Sequence, residues 1–379
     1  MKVEFSLEIL IDTKNDKNSI EVSYTYHGNK YDAVTFCNDK IVIKGERTQK
    51  KAITDCLTSD SNQLYKELRL CLVVHYLRYG RRIEKGKYLL TIGNQKQSKG
   101  KLKDRFDLMI FGKEIKEILF DRNDVVESIF RINHPKEIEV SLMNYIKGIY
   151  DKNNELNHFW KSFESISKFI TKEKNEIDVL DSIVDMINNK ILDMNELGAF
   201  VSNNKDVFIN NSNIYVCKKL FSNRIGNILN KKKEYNSNYF ANMNIWLSKC
   251  FEENLVRLIV NMLSDDLIKT KDKLLEKECE QSDTLIRQID SFLSLPDIWN
   301  EYSHKYKIKC GNPNYPNTSF ILYFIYCKRN EIFHGENTEP ILQIKDKDQS
   351  DVFIMINCYL QIIIKSLYEF LPNNMEENC

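Results

Sequence analysis

The first part of the chain alternates between apolar and polar residues, the pattern of β-strands that bury one face. Residues 3–11 show it most clearly, because every odd position is apolar and the residues between them are polar or charged, except for Leu10. Helical spacing of the apolar residues at 62–79 predicts a helix that ends at Gly80. Gly28 is the predicted hairpin residue, and further strands are predicted at 20–26, 40–44, 87–92 and 105–111. This segment is therefore predicted to be an α+β domain with an antiparallel sheet.

Beyond about residue 122, apolar residues recur with helical spacing almost throughout the chain. The predicted helices cover residues 137–150, 153–172, 175–193, 214–230, 240–270, 283–294, 318–334 and 351–371. Three prolines fall between them, as expected for a residue that interrupts a helix. We therefore predict two domains: an α+β domain at 1–122 and an all-α helical bundle at 123–379.

Composition describes a folded protein and excludes some classes of function. Of the 379 residues, 42% are hydrophobic and 29% are charged, which is ordinary for globular proteins. The formal net charge of +1 means that any site for a polyanion must be a local patch. No stretch of about 18 to 20 uncharged apolar residues indicates a membrane span. The 10 cysteines include no Cys-x-x-Cys pair, and several lie in apolar segments, so we expect reduced thiols and a cytoplasmic protein.

The most specific chemistry lies at residues 329–335, directly after the apolar run 320–327. Arg329, Asn330 and His334 fall at the end of a predicted buried helix, and Gly335 stands where a left-handed terminal residue is favoured. Unpaired carbonyls at that helix end favour a protonated imidazole, which would bring the pKa of His334 toward the range useful for proton transfer. Asn330 shares a helix face with His334, so one helix end could present these side chains to a cleft.

This motif resembles the signature of the HEPN superfamily of all-α ribonucleases, an arginine followed by a short run of residues and then a histidine. Residues 158–166 also resemble the aromatic-rich early helix, with an internal glutamate, of phage-defence HEPN proteins. The resemblance implies RNA cleavage without a metal or other cofactor, with His334 as general acid or base. Arg329 would stabilise charge on the phosphate, and Asn330 would orient the imidazole or the phosphate.

The resemblance has consequences for assembly and biology as well. HEPN sites are generally composite, so a single copy of the motif implies a homodimer. The defence-type resemblance implies a toxic effector that arrests growth during phage infection, restrained until a phage-derived or nucleotide trigger appears. The first domain would sense that trigger or position the RNA.

A basic segment offers a second candidate site. Residues 78–105 carry ten basic and two acidic side chains, and Tyr76, Tyr79 and Tyr88 lie beside or among them, which would suit single-stranded RNA. A solvated loop between two strands explains the same charges. The candidate RNA-binding residues are Arg78, Arg81, Arg82, Lys85, Lys99, Lys101 and Lys103.

Other interpretations of the chain stay open. Arg329 and His334 can be a polar helix end with a capping imidazole, and the domain can then be a catalytically inactive HEPN-like module. Such a module would dimerise and bind a nucleotide or a protein. Alternatively, Asp107 with Glu114 and Lys116 imitates the pattern of a metal-dependent nuclease, although charged surface residues also explain it. His304 and Cys310 lack the second close-spaced ligand pair of a structural zinc site, so we expect no metal.

Overall fold

A computed structural model of the chain forms two units, one of residues 1–173 with 363–379 and one of residues 174–362. The described residues are 2–11, 19–27, 30–57, 59, 61–83, 85–93, 95–104, 111–115, 118–132, 136–189, 191–193, 195–204, 322, 325–326, 329 and 347–376.

The first unit is built on a six-stranded antiparallel sheet in the order β2-β3-β4-β1-β5-β6. The strands are β1 (Val3–Leu10), β2 (Ser19–His27), β3 (Lys30–Cys37), β4 (Lys40–Arg47), β5 (Lys87–Ile92) and β6 (Gln95–Lys101). The alternation predicted at residues 3–11 is confirmed, because Phe5, Leu7 and Ile9 are buried on one face. Since β1 pairs with both β4 and β5, its odd-numbered side chains lie at the centre of the core.

Helices cover the buried face of this sheet. The helices of the first unit are α1 (Lys50–Thr54), α2 (Gln63–Tyr79), α3 (Asn123–Arg131), α4 (Lys136–Tyr150) and α5 (Glu155–Thr171). Asn62 caps α2, accepting hydrogen bonds from two backbone N–H groups of its first turn, and Gly80 ends the helix at φ +67° as predicted. From α3, the Phe130 ring contacts the edges of Tyr24 and Phe36, which fixes that helix against β2 and β3.

The helices α4 and α5 form a tightly packed pair beside the sheet. A Cβ atom at Gly148 would lie 2.7 Å from the Phe159 ring, so only glycine permits this approach of the two helices. Between the same helices, the Ser141 hydroxyl donates to the backbone oxygen of Ser162 at 2.9 Å. These contacts hold α4 and α5 together within the first unit, which runs to residue 173 and also includes residues 363–379.

The second unit contains α6 (Glu176–Asn188) and α7 (Asn195–Asn203), together with helical positions at 322, 325, 326 and 329. Buried side chains of α6 recur at helical spacing: Val179, Leu180, Ile183, Val184 and Ile187. Leu322, Ile325 and Tyr326 are buried as well, in agreement with the buried helix predicted at 318–334. The predicted helices at 214–230, 240–270 and 283–294 lie outside the described residues.

The last helix, α8 (Lys347–Glu376), contains a segment that is long and apolar enough to cross a membrane, Phe353–Asn373. In the most apolar 18-residue window of this segment, 56% of the residues are buried inside the protein, and Lys365 approaches Glu369 to 3.9 Å. From Ile363 onward α8 belongs to the first unit, where the Tyr368 ring meets the edge of Phe120. Burial of this kind is the behaviour of a core helix.

The elements with a strong sequence pattern form where the sequence predicts them. Strands at 3–11, 20–26, 40–44 and 87–92 and the helices corresponding to α2, α4, α5 and α6 are confirmed. Among the strands and α-helices of the described residues, five were not predicted: β3, β6, α1, α3 and α7. The predicted strand at 105–111 lies outside the described residues except for Phe111, which is not in a strand.

Candidate functional site

Arg329 lies on the buried side of its helix. It follows Leu322, Ile325 and Tyr326 at intervals of seven, four and three residues, so all four side chains share one helix face. The first three are almost completely buried, whereas the Arg329 side chain keeps 17% of its surface exposed. A guanidinium in such a position needs an acidic or polar partner.

Glu176 supplies that partner from the first turn of α6. Its Oε1 lies 3.3 Å from Nη1 of Arg329, and its side chain is 26% exposed. The preceding residue, Asn175, begins α6 by accepting a hydrogen bond from the backbone N–H of Ile177. The helix N-terminus favours a carboxylate at this position, so Glu176 is well placed to hold the cation.

The other two residues of the motif, Asn330 and His334, lie outside the described residues. The structure therefore locates one member of the predicted catalytic set, and the roles of all three residues stay predictions. No sequence signal singled out Glu176, because nothing in the local pattern links it to a residue more than a hundred positions away.

Two arginines of the basic segment are held by neighbouring side chains. Arg78 Nη2 donates to Asn123 Oδ1 at 2.6 Å, and its guanidinium lies 5.5 Å from the centre of the Tyr79 ring. Arg81 Nε donates to Asn38 Oδ1 at 3.1 Å, and its Nη1 lies 3.9 Å from Glu114 Oε1. Both arginines therefore contribute to the packing of the first unit.

The remaining predicted RNA-binding residues are exposed: Arg82, Lys85, Lys99, Lys101 and Lys103. Lys99 and Lys101 belong to β6, which pairs with β5. The alternative to an RNA site in this segment was a solvated loop, whereas these two lysines lie in a strand. Pairing with β5 fixes Lys99 opposite Leu89 and Lys101 opposite Lys87. The segment thus presents its lysines from a sheet.

Two of the three residues of the metal-dependent alternative lie outside the described part of the chain. Asp107 and Lys116 lie outside the described residues, and Glu114 is an exposed side chain near Arg81. Within the described part of the chain, no three His, Cys, Asp or Glu side chains are grouped as metal ligands. His304 and Cys310 also lie outside it.

The structure reveals a buried ionic cluster that the sequence pattern hides. Arg47 donates to both carboxylate oxygens of Asp32, at 2.8 Å from Nη1 and 2.5 Å from Nη2. Its Nη2 also lies 3.7 Å from Glu67 Oε2, and all three side chains are buried. Burial and the neighbouring Asp32 carboxylate raise the pKa of Glu67 well above its usual value. A protonated Glu67 can donate a hydrogen bond to Asp32, so the cluster is a structural element of the core.

A histidine and an aspartate also meet at the start of α5. His158 Nε2 lies 3.5 Å from Asp151 Oδ2, but the Nδ1 atom of the imidazole is inaccessible to solvent. Burial lowers the pKa of His158, which favours the neutral ring. This pair ties α5 to the preceding turn and offers no open nitrogen for a substrate.

Comparisons with models of protein families, with curated proteins and with solved structures find no match to this chain. The HEPN resemblance therefore rests on the residues themselves.

Proposed function

We propose that the protein is a metal-independent endoribonuclease of the HEPN type. Arg329, Asn330 and His334 form its reactive group, and the helical domain that carries them is a HEPN-like bundle. The observation that supports this best is the position of Arg329, a cation placed on the buried face of an apolar helix and held by a carboxylate. Arginine is rarely buried in a protein unless it has a structural or a chemical role.

In this proposal His334 exchanges the proton of the 2'-hydroxyl or of the leaving oxygen, and Arg329 balances charge on the phosphate. A planar guanidinium is suited to the second task because it offers paired N–H donors to two oxygens. Glu176 restricts the guanidinium to one part of the site, which reduces the rotamer entropy lost when RNA binds. Asn330 orients the imidazole or the phosphate.

The proposed assembly is a homodimer through the helical domain, since one motif per chain supplies half of a composite site. We further propose that cleavage serves anti-phage defence by arresting growth, with the activity restrained until a trigger is bound. The domain that carries the sheet would sense this trigger or position the RNA.

RNA cleavage in EDTA tests the chemistry. Purified wild-type protein, Arg329→Ala and His334→Ala are incubated with total RNA, alongside Lys328→Ala, which removes a neighbouring cation outside the motif. We expect wild type and Lys328→Ala to cleave, and the two motif variants to lose at least about 100-fold in rate. Arg329→Lys keeps a charge for Glu176 but lacks the planar fork, so it should fold and still cleave poorly.

Each other result has a defined meaning. Cleavage that both motif variants retain would refute the catalytic roles, and cleavage that EDTA abolishes would favour the metal-dependent alternative at Asp107. RNA that wild type binds but leaves intact, also after addition of an extract from phage-infected cells, would favour the inactive binding module. That alternative is supported by the same ion pair, because Arg329 and Glu176 can serve stability alone.

A further inference from the structure

The register of the sheet brings together lysines that are distant in the sequence. Leu10 of β1 is paired with Lys40 of β4 on one side and with Lys87 of β5 on the other. Lys87 is in turn paired with Lys101 of the edge strand β6. Directly paired residues point to the same face of a sheet, so Lys40, Leu10, Lys87 and Lys101 form one row across four strands. We call these four residues the lysine row.

The lysine row lies on the face of the sheet opposite the core. Phe5, Leu7 and Ile9 fill the other face, whereas Leu10 is 42% exposed and Lys87 and Lys101 are exposed. Further lysines surround the row: Lys99 in the neighbouring row, Lys85 just before β5 and Lys103 just after β6. All of them lie at the same end of the sheet.

Among the described residues, no carboxylate forms an ion pair with the six lysines of this surface. In the adjacent described row of the same face, Glu8 lies between Val42 and Leu89. Like charges placed directly opposite each other, such as Lys87 and Lys101, destabilise a sheet. A bound polyanion would remove this cost.

We infer that the lysine row is a binding track for a single strand of RNA. Four strands spaced about 4.8 Å apart extend the row over about 14 Å. An extended strand separates its phosphates by more than the about 3.4 Å of axis per phosphate in one strand of a duplex, so this length faces only a few consecutive phosphates. Leu10 offers an apolar contact for a base between the cations, and a flat sheet face accepts an unpaired strand more readily than a duplex.

This inference deepens the proposed function and takes its polymer, RNA, from it. It also changes the predicted set of RNA-binding residues. Lys40 and Lys87 join Lys99 and Lys101, while Arg78 and Arg81 are already engaged by Asn123 and Asn38.

The test measures binding alone, so that it does not depend on cleavage. A fluorescein-labelled 20-nucleotide oligo(U) is titrated with the full-length His334→Ala protein, and anisotropy is followed from 50 to 300 mM salt. The same protein with Lys40→Gln, Lys87→Gln and Lys101→Gln is compared with a control carrying Lys51→Gln, Lys147→Gln and Lys161→Gln. The control removes the same charge from exposed positions of the same unit.

We expect the row variant to bind at least about tenfold more weakly at 100 mM salt, with the slope of log K against log salt reduced by about 2. The control should retain the wild-type slope. Equal losses in both triple variants would overturn the inference, as would wild-type affinity in the row variant. Loss of binding to anionic vesicles without loss of RNA binding would assign the row to a membrane surface instead.

The result separates this inference from the proposed function. If the protein binds RNA through the row but does not cleave it, the binding track is supported and the proposed nuclease activity is refuted. If the protein cleaves RNA and the row variant binds RNA as tightly as the protein with an intact row, the nuclease activity is supported and the binding track is refuted. Thermal unfolding checks that both triple variants fold: the control should match wild type, and the row variant should be at least as stable, because it loses the repulsion between Lys87 and Lys101.

Discussion

Glu67 shows how one residue can make the stability of this protein depend on pH. Its carboxyl is buried beside Asp32, and Arg47 is engaged by both oxygens of Asp32. Burial and the Asp32 charge raise the pKa of Glu67 above its usual value of 4.5. The native state thus holds a proton that the unfolded state releases, so Glu67 stabilises the fold fully only below about pH 4.5.

As the pH rises through the pKa of the folded state, this contribution is lost. We predict that Glu67→Gln raises the free energy of unfolding at neutral pH, because glutamine is neutral and still donates to Asp32. The free energy of unfolding in urea, measured at several pH values, tests this prediction. The variant should have a flatter profile above pH 4.5 than wild type, whereas the exposed Glu137→Gln should follow wild type throughout. Parallel profiles for Glu67→Gln and wild type would contradict this explanation.

Glu176 is the residue whose loss should reveal how Arg329 is held. Glu176→Gln leaves a mostly buried guanidinium without its charged partner, and we predict a loss of about 1 kcal/mol in the free energy of unfolding. Asp178→Asn is the matched control, since it removes an exposed acid from the same first turn of α6. Unfolding by urea should therefore separate the two variants. Equal midpoints would show that the ion pair contributes nothing to stability.

At the level of elements, two glycines with positive φ allow the cost of backbone strain to be measured apart from the cost of a steric clash. Gly80 ends α2 at φ +67°, and a Cβ atom there would lie 2.2 Å from the carbonyl oxygen of Ile115. Gly93 follows β5 at φ +54°, with no atom within 4 Å of the same position. We predict that Gly93→Ala costs about 1 kcal/mol from its backbone conformation alone.

The additional contact should make Gly80→Ala cost about 2 to 4 kcal/mol. Thermal unfolding of the two variants measures this difference directly. Similar losses would show that the Ile115 backbone moves aside without cost, which the hydrogen bond from its N–H to the Gly80 oxygen at 3.0 Å opposes.

The same scale explains which elements the sequence could predict. Strand β1 and helix α2 bury apolar side chains at regular intervals, so their pattern is visible. Strand β3 places Asp32 among its core-facing residues, and Arg47, on another strand, balances that charge. Strand β6 is polar along its length, and its backbone pairing with β5 defines it. Such long-range partners leave no local signal.

The candidate sites follow the same logic. The arginine and histidine motif is contiguous, so it could be found from the sequence, and so could the dense lysines of 85–103. Lys40 and Glu176 could not, because each gains its proposed meaning from a partner on a distant element. Contacts between distant segments decide which members of a charged cluster act together.

At the scale of the whole molecule, a net charge of +1 conceals local clusters of charge. The proposed RNA track is confined to one end of a sheet in the first unit, whereas Arg329 belongs to the second. Nearly balanced overall charge limits nonspecific attraction of polyanions, so a local cluster of lysines determines where a strand binds. A proposed toxic ribonuclease benefits from such selectivity.

The proposed composite site makes a quantitative prediction about assembly. If catalysis needs the motif of both protomers, a dimer with one His334→Ala chain is inactive. Equal co-expression of tagged wild-type and variant chains then leaves about one quarter of the dimers with two intact motifs. The purified mixture should retain about one quarter of the wild-type rate per chain, in EDTA, and not the one half expected of independent sites. Lys328→Ala replaces His334→Ala as the control and should leave the rate unchanged. A value of one half, or a monomeric mass by light scattering at the assay concentration, would contradict the composite site.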